Sequence, residues 1–501
     1  MTWISHHNFT PRASFDGGDL DCGNGLLLLI RKHLGPLDPG QYLEILSTDA
    51  TVEEDLPAWA RLTGNILVSQ VKEGDRRSYL VRKAGSLREE LDKPQLQPLA
   101  PLVEREPALL SPLPRFAVTG IGSWPRPPWM LKAIHDSLEN RLSEEAFQAI
   151  ADDAVRLAVQ AQEQAKVDLV TDGEQRRDSY AGFVGSRLEN CQLIPLTDLL
   201  PYVDNPEKFS QELKALDVPA GEIHHPAVLG KLSRKKPLAG HELAFLRKVS
   251  SKPAKVALPG PYLLTRTLWL ECVSEKVYRK REDLAETILA ILREEISELL
   301  ESGARIVQLD EPVLTEVVFG QAKKQRSFMC GALGERKDPE QELAFAGELL
   351  RAVLQGFPRD RLALHICRGN WSPDESVALA GDYRPLIPLL KKVPVGILYL
   401  EMCTPRAGEM EVLSSLSEEV QIGLGMVNPK SPQVEAVPEI VAKGDKAVSL
   451  FGADRVMLNP DCGFATFADN PVSGAEIAQG KLQALAQAGE ELRRRHGQGG
   501  R

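Results

Sequence analysis

His365 and Cys367 are separated by a single residue in the run His365-Ile366-Cys367. On an extended strand, side chains two apart project from the same face, so this imidazole and thiol can reach one point. Imidazole nitrogen and thiolate sulfur are preferred ligands of Zn2+. The pair alone is weak evidence, because a core histidine beside a buried cysteine is spelled the same way. Two further donors strengthen it: Glu401, closing the apolar run Gly396–Leu400, and Cys462, shortly after Arg455–Leu458. Two thiolates and a carboxylate give the ion a surplus of negative ligand charge. A substrate thiol bound there loses its proton yet stays nucleophilic, which suits attack by sulfur on an electrophilic carbon.

These residues need a scaffold that brings distant strand ends together. Eight short apolar runs occur between 116 and 458: Phe116–Thr119, Asp168–Thr171, Lys255–Leu258, Arg305–Leu309, Leu362–Ile366, Gly396–Leu400, Gln421–Gly425 and Arg455–Leu458. Helical stretches such as Glu144–Ala165, Arg281–Ser302 and Asp338–Leu354 fall between them, and Ser473–Arg495 follows the last. Alternating strands and helices predict parallel βα units, here an α/β fold of the (β/α)8 TIM barrel type. An open doubly wound sheet is the rival, but no G-x-G-x-x-G opens a helix after the first run. Polar or turn-forming residues follow every run: Gly122-Ser123, Asp172 and Glu174, Pro259-Gly260, Asp310-Glu311, His365 and Cys367, Glu401, Asn428 and Lys430, and Asp461-Cys462. That is the face where barrel enzymes build their sites. Residues 187 to 250 are long for a loop and predict a lid or an inserted hairpin.

A chain of 501 residues predicts more than one domain. Prolines 94, 98, 101, 107, 112 and 114 mark residues 85–114 as a linker. It divides a small α/β sandwich, residues 1–84, from the barrel, residues 115–501. In the small domain the pattern predicts a helix ending at Gly35-Pro36, a strand Tyr42–Ser47, a helix Glu54–Leu62, and strands Ile66–Val71 and Ser78–Val81. Sixty Lys and Arg against 70 Asp and Glu leave a net charge of −10, which argues against a nucleic-acid partner. The longest apolar run, Leu26 to Ile30, is too short for a membrane span. With no apolar leader and only 7 cysteines, a cytoplasmic, reducing setting is expected.

The stretches Thr119-Gly-Ile-Gly-Ser-Trp-Pro-Arg-Pro127, Asp168-Leu-Val-Thr-Asp-Gly-Glu174, Val307-Gln-Leu-Asp-Glu-Pro312, His365-Ile-Cys-Arg-Gly-Asn370 and Asn459-Pro-Asp-Cys-Gly-Phe464 resemble the catalytic domain of cobalamin-independent methionine synthase. The resemblance covers roughly 115 to 490, and five motifs in order make it specific. It implies one zinc held by His365, Cys367, Glu401 and Cys462. Glu401 lies outside the five motifs, and Cys403 stands close by. It further implies that backbone at Ile121, Gly122 and Ser123 takes the carboxylate of homocysteine, and that Glu174 and Asp310 take its ammonium. The other role for these two carboxylates is an ion pair with Arg176, Arg177 or Arg305.

Two features depart from the folate-dependent members. A second, N-terminal barrel is missing from this sequence, and Lys430 stands where they place a proton-donating histidine. The sequence therefore leaves the methyl donor open, with a corrinoid protein one candidate, and predicts poor use of methyl-tetrahydrofolate. The N-terminal domain resembles the TusA/SirA sulfur carriers. Cys22 opens its first helix, but Gly23 and Gly25 replace the prolines of their Cys-Pro-x-Pro motif. The leading expectation is zinc-dependent methyl transfer to a thiol, homocysteine giving methionine. The alternatives are another thiol alkylation or C–S chemistry fed from Cys22, and a sulfur-trafficking scaffold with a structural zinc.

Overall fold

The computed structural model describes residues 3–20, 26–62, 65–74, 76–83, 112–195, 224–269, 274, 277–320 and 338–497. They divide into two compact units, each described by itself. Cys22 and most of the expected linker lie outside the described residues.

The N-terminal unit contains β1 (Ala13–Asp16), a helix Leu27–Leu34, β2 (Tyr42–Ser47), a helix Val52–Leu62, β3 (Ile66–Glu73) and β4 (Arg76–Arg82). The sheet runs β1-β2-β4-β3. β1 pairs parallel with β2, and the other pairs are antiparallel. β2 alternates half-buried and buried positions, as a strand covered on one face must. Leu43 and Ile45 share a core with Leu26 at the start of the first helix, Ile30 and Leu34 within it, and Leu56 and Trp59 from the second. The helices and later strands are those expected. β1 was not expected, because four residues reading Ala-Ser-Phe-Asp carry little strand signal.

The larger unit is α/β. Six parallel strands, β7 (Lys255–Pro259), β8 (Ile306–Asp310), β9 (Leu362–Ile366), β10 (Ile397–Leu400), β11 (Gln421–Val427) and β12 (Val456–Pro460), form one sheet in sequential order. Nearly every residue in them is buried, which is the signature of a parallel sheet covered on both faces. One face meets the helices. Helix Arg281–Glu301, for example, buries Leu284, Ile288, Ile291, Leu292 and Leu299 at helical spacing. The alternate residues gather in a separate small cluster with Ala117, Ile121, Leu169, Ile306, Ala363, Ile397, Tyr399 and Met457. Leu113, expected in the linker, packs against this cluster.

The first two expected strands are present only as isolated bridges: Val118 to Leu458, Thr119 to Leu169, and Val170 to Ala254. Local chemistry interrupts regular ladders there. The Asp168 carboxylate takes the Val118 N–H at 2.8 Å, and Phe116 sits at φ 53°. These bridges run from β12 past 118–119 and 169–170 to the start of β7. Between 187 and 250 the structure has an antiparallel hairpin, β5 (Leu188–Pro195) with β6 (His224–Arg234), and a helix Gly240–Val249. Among the described residues no helix is long and apolar enough to cross a membrane.

Candidate active site

Strand parity places the chemistry. Ile306, Gln308 and Asp310 alternate along β8, as do Ala363, His365 and Cys367 along and just past β9. Their first members, Ile306 and Ala363, belong to the small cluster with Tyr399 and Met457, so the later ones continue that face to the strand ends. His365, Cys367 and Cys462 bring one ligand atom each within 4.8 Å of one another, the group among the described residues that could hold a metal ion. All three are buried. His365 Nδ1 lies 3.2 Å from the Tyr399 carbonyl, while Nε2 has no hydrogen-bond partner. Since a carbonyl only accepts, Nδ1 donates to it and Nε2 is the nitrogen left for a metal; burial pushes the imidazole down, but Cys367 beside it raises it overall. Cys462 hydrogen-bonds to Cys367 and holds its thiol well below the ordinary range, while the same contact pushes the Cys462 thiol up.

Glu401 follows β10 but is not in that group. Its Oε2 accepts from the Arg368 N–H at 2.9 Å and Asn370 Nδ2 at 2.8 Å, and Oε1 accepts from Arg406 Nε at 2.7 Å. Cys403 is not in the group either. Its backbone N–H, with that of Met402, bonds to Asp461 Oδ1. Asp461 therefore clamps the turn after β10 to the residue before Cys462.

Glu174 occupies a left-handed turn, φ 54°, directly after Gly173 at φ 73°. A non-glycine residue there is strained and must be held by its surroundings. Its N–H bonds to Asp172 Oδ1 at 2.9 Å, and its carbonyl accepts from Arg126 Nη2 at 2.6 Å and the Arg177 N–H at 3.1 Å. Its Oε2 has no hydrogen-bond partner. Burial pushes the carboxyl up to about 7, with Arg177 pulling down and Asp310 pushing up. Gly122 lies against it, and a Cβ there would collide with Glu174 Oε1. Asp310 Oδ1 accepts from Gln308 Nε2 at 2.7 Å. The arginines that could have occupied these carboxylates bond elsewhere: Arg176 to Asp152, Arg177 to Glu242, and Arg305 to the Asp360 carbonyl.

One small cavity is lined by Ser123, Glu174, Asp310, His365, Cys367 and Asn370, among others. The Ile121 side chain packs in the inner cluster, which leaves its backbone for any ligand. Lys430 is buried over the strand ends, with Nζ 2.9 Å from the Asp374 carbonyl. Burial, and then Arg406, push its ammonium down to about 8.

Sequence reasoning missed several residues. Glu311 reads as half of an acidic pair, yet its carboxylate accepts the Tyr262 and Leu263 N–H groups at 2.7 and 2.9 Å and caps helix Pro261–Leu268. Arg368, Asn370 and Arg406 surround Glu401. The first two are adjacent to H-x-C, but nothing in the spelling of Arg406 marks it. Lys255 opens β7 and carried no role in the sequence, yet it is buried.

A parallel α/β scaffold has thus gathered a soft-donor metal group and two carboxylates at its strand ends. The chain matches the family model described as the catalytic domain of cobalamin-independent synthase over residues 116–205, 211–346 and 358–478, and it belongs to that family. Methionine synthase of Saccharolobus solfataricus is 26% identical over 391 residues, 77% of this chain and 98% of that protein. The 5-methyltetrahydropteroyltriglutamate–homocysteine methyltransferase of Acidithiobacillus ferrooxidans is 24% identical over 386 residues, 77% of this chain but 42% of that protein. In fold, the chain is similar to a B12-independent methionine synthase from Shewanella sp. W3-18-1 in complex with selenomethionine. The TM-score is 0.56 at 24% identity, covering 76% of this chain and 99% of that one.

Proposed function

We propose that this enzyme transfers a methyl group to the thiol of homocysteine, giving methionine, on a (β/α)8 barrel closed through the bridges at 118–119 and 169–170. The observation that carries the reading is the single cavity shared by His365 and Cys367 with Glu174, Asp310 and Ser123. A structural metal site has no use for two carboxylates beside it, one of them with an unpartnered oxygen.

The residues fit zinc. One imidazole lone pair and two thiols converge in a buried group, and Zn2+ prefers such donors. His365, Cys367 and Cys462 would hold it. Glu401 is proposed as the fourth donor, its carboxylate keeping acceptor capacity beside its bond to Arg406. Bound there, zinc lowers the pKa of the substrate thiol and orients its sulfur. Glu174 and Asp310 take the ammonium of the amino acid, and backbone at Ile121, Gly122 and Ser123 takes its carboxylate.

The family functions without cobalamin, so a corrinoid protein is not a required partner. The expectation of poor folate use came from two features, the N-terminal barrel not found in this sequence and a lysine of ordinary pKa in place of a histidine, and the second changes in the structure. Lys430 is at about 8, so it can give a proton to the leaving nitrogen near neutrality. We therefore name a methyl-folate as the donor and Lys430 as the acid, in place of the poor folate use expected from the sequence. The TusA/SirA-like reading of residues 1–84 and sulfur carriage by Cys22 remain proposals from sequence alone.

The test is methionine formation by the zinc-loaded protein from homocysteine and methyl-tetrahydrofolate or its polyglutamate, with methylcobalamin in parallel. Asp310→Asn should lower kcat/KM for homocysteine roughly 10- to 100-fold, the worth of a charged hydrogen bond, while zinc stays bound. Unchanged kinetics in that variant would remove the amino-acid substrate.

A further inference from the structure

Lys255 is a buried lysine with no carboxylate in hydrogen-bond contact; burial pushes its ammonium down to about 7, against the pull of Asp310 and then Glu174. It opens β7 at 1% exposure. Its Nζ lies 2.5 Å from the Gly120 carbonyl, 2.8 Å from Gln308 Oε1, and 4.3 Å from the centre of the Tyr399 ring. Two carbonyl oxygens and one aromatic face account for the three N–H bonds of an ammonium. Burying a charge without a paired ion is costly, and a methionine would fill much the same space. Packing alone does not explain a lysine at this position.

Its partners do. An ammonium only donates, so Gln308 must turn its carbonyl oxygen toward Lys255. The amide nitrogen then points the other way, and it is found 2.7 Å from Asp310 Oδ1. Without Lys255, the two ends of that amide could exchange, and an oxygen facing Asp310 would repel its carboxylate. The other contact of Lys255 is the carbonyl immediately before Ile121-Gly122-Ser123. One ammonium therefore ties the strand end that faces the substrate carboxylate to the one that faces its ammonium.

We propose that Lys255 is a positioning residue of the amino-acid subsite. It acts through Gln308 on Asp310, and so selects thiols that carry an α-ammonium. This rests on the reading of Asp310 as the partner of that ammonium.

The experiment compares Lys255→Met, Gln308→Met and the double variant with the wild type, all as full-length zinc-loaded protein. Four quantities are read: zinc content, the Kd of methionine by calorimetry, and kcat and KM for homocysteine and for its desamino analogue 4-mercaptobutanoate. Each single variant should raise the methionine Kd and the homocysteine KM about tenfold or more. Zinc should stay at wild-type level, and kinetics with the desamino thiol should change less than about twofold. The double variant should be no worse than the worse single one, because both act through one relay. Equal losses on both thiols, additive losses, or no change in methionine binding would overturn the proposal. Gln308→Met retains the lysine, so it tests the relay even if Lys255→Met fails to fold. Asp310→Asn separates the two readings. If it discriminates between the thiols as the wild type does, the ammonium site itself is wrong. If it loses discrimination while Lys255→Met keeps it, only the relay is wrong.

Discussion

The two halves of the site each leave a side-chain atom without a partner, but of different kinds. On the β9–β12 side, His365, Cys367 and Cys462 bring one ligand atom each within 4.8 Å of one another, and His365 Nε2 has no hydrogen-bond partner. Soft donors at that spacing call for a metal. On the side of residues 120–174 and β8, the unsatisfied atom is a carboxylate oxygen of Glu174, next to Asp310, which uses one oxygen on Gln308. Hard acceptors arranged this way suit a hydrogen-bonding cation such as an ammonium. The first half is preorganised by strand geometry. The second depends on a strained turn at Glu174, held by Arg126, Arg177 and Asp172. The metal half should therefore fail all or none, and the amino-acid half by degrees.

The largest effect tests the metal half. Cys367→Ser, Cys462→Ser or His365→Ala should each remove most bound zinc, measured by elemental analysis of purified protein. Each loses one donor of the buried group His365, Cys367 and Cys462, to which Cys403 does not belong. Full zinc in both serine variants would end the metal assignment.

Next is Lys430, which belongs to neither half. Lys430→Met should slow transfer from methyl-tetrahydrofolate about 100-fold or more, the usual worth of a general acid. Transfer from methylcobalamin, which needs no such proton, should change little. An equal loss with both donors would reassign Lys430 to packing over the strand ends, where it bonds to the Asp374 carbonyl.

Glu401 sharpens the contrast within the metal half. His365 leaves one nitrogen open, whereas Glu401 is bonded to Arg368, Asn370 and Arg406. Glu401→Gln should weaken zinc affinity about 10- to 100-fold in a competition titration with a chelator, less than loss of a cysteine. An effect as large as Cys367→Ser would make it an equal ligand. No effect would leave it to orient the loop at 368–370.

The same contrast explains what was legible in the sequence. His365 and Cys367 could be read because period-two spacing on a buried strand dictates a shared face. Six of the eight expected core strands were legible as short apolar runs. The first two were placed correctly but do not form ladders, because the Asp168 side chain takes an N–H that a strand would have used. The support for the amino-acid half was not legible. Lys255 and Gln308 contact each other across 53 residues, and a lysine at the start of a strand ordinarily marks its exposed end. Glu311 was ambiguous for the opposite reason, since an acidic side chain that caps a distant helix is spelled like a catalytic one.

The smallest effect tests the amino-acid half by titration. Burial pushes the Glu174 carboxyl up from the ordinary 4.5 to about 7. Only the carboxylate can pair with an ammonium, so affinity must rise with pH until Glu174 is fully ionised. At pH 6, one unit below its pKa, roughly a tenth is ionised, and the Kd should be about tenfold higher than at pH 8. Methionine is the suitable probe, because it has no thiol whose own titration would enter. Binding below pH 7 should also release a proton, seen in calorimetry as a dependence of the heat on the buffer. Glu174→Gln should bind more weakly and lose both the slope and the proton. A wild-type Kd that is flat from pH 6 to 8 would mean that Asp310 alone carries the ammonium. The strained turn at Glu174 would then need another purpose.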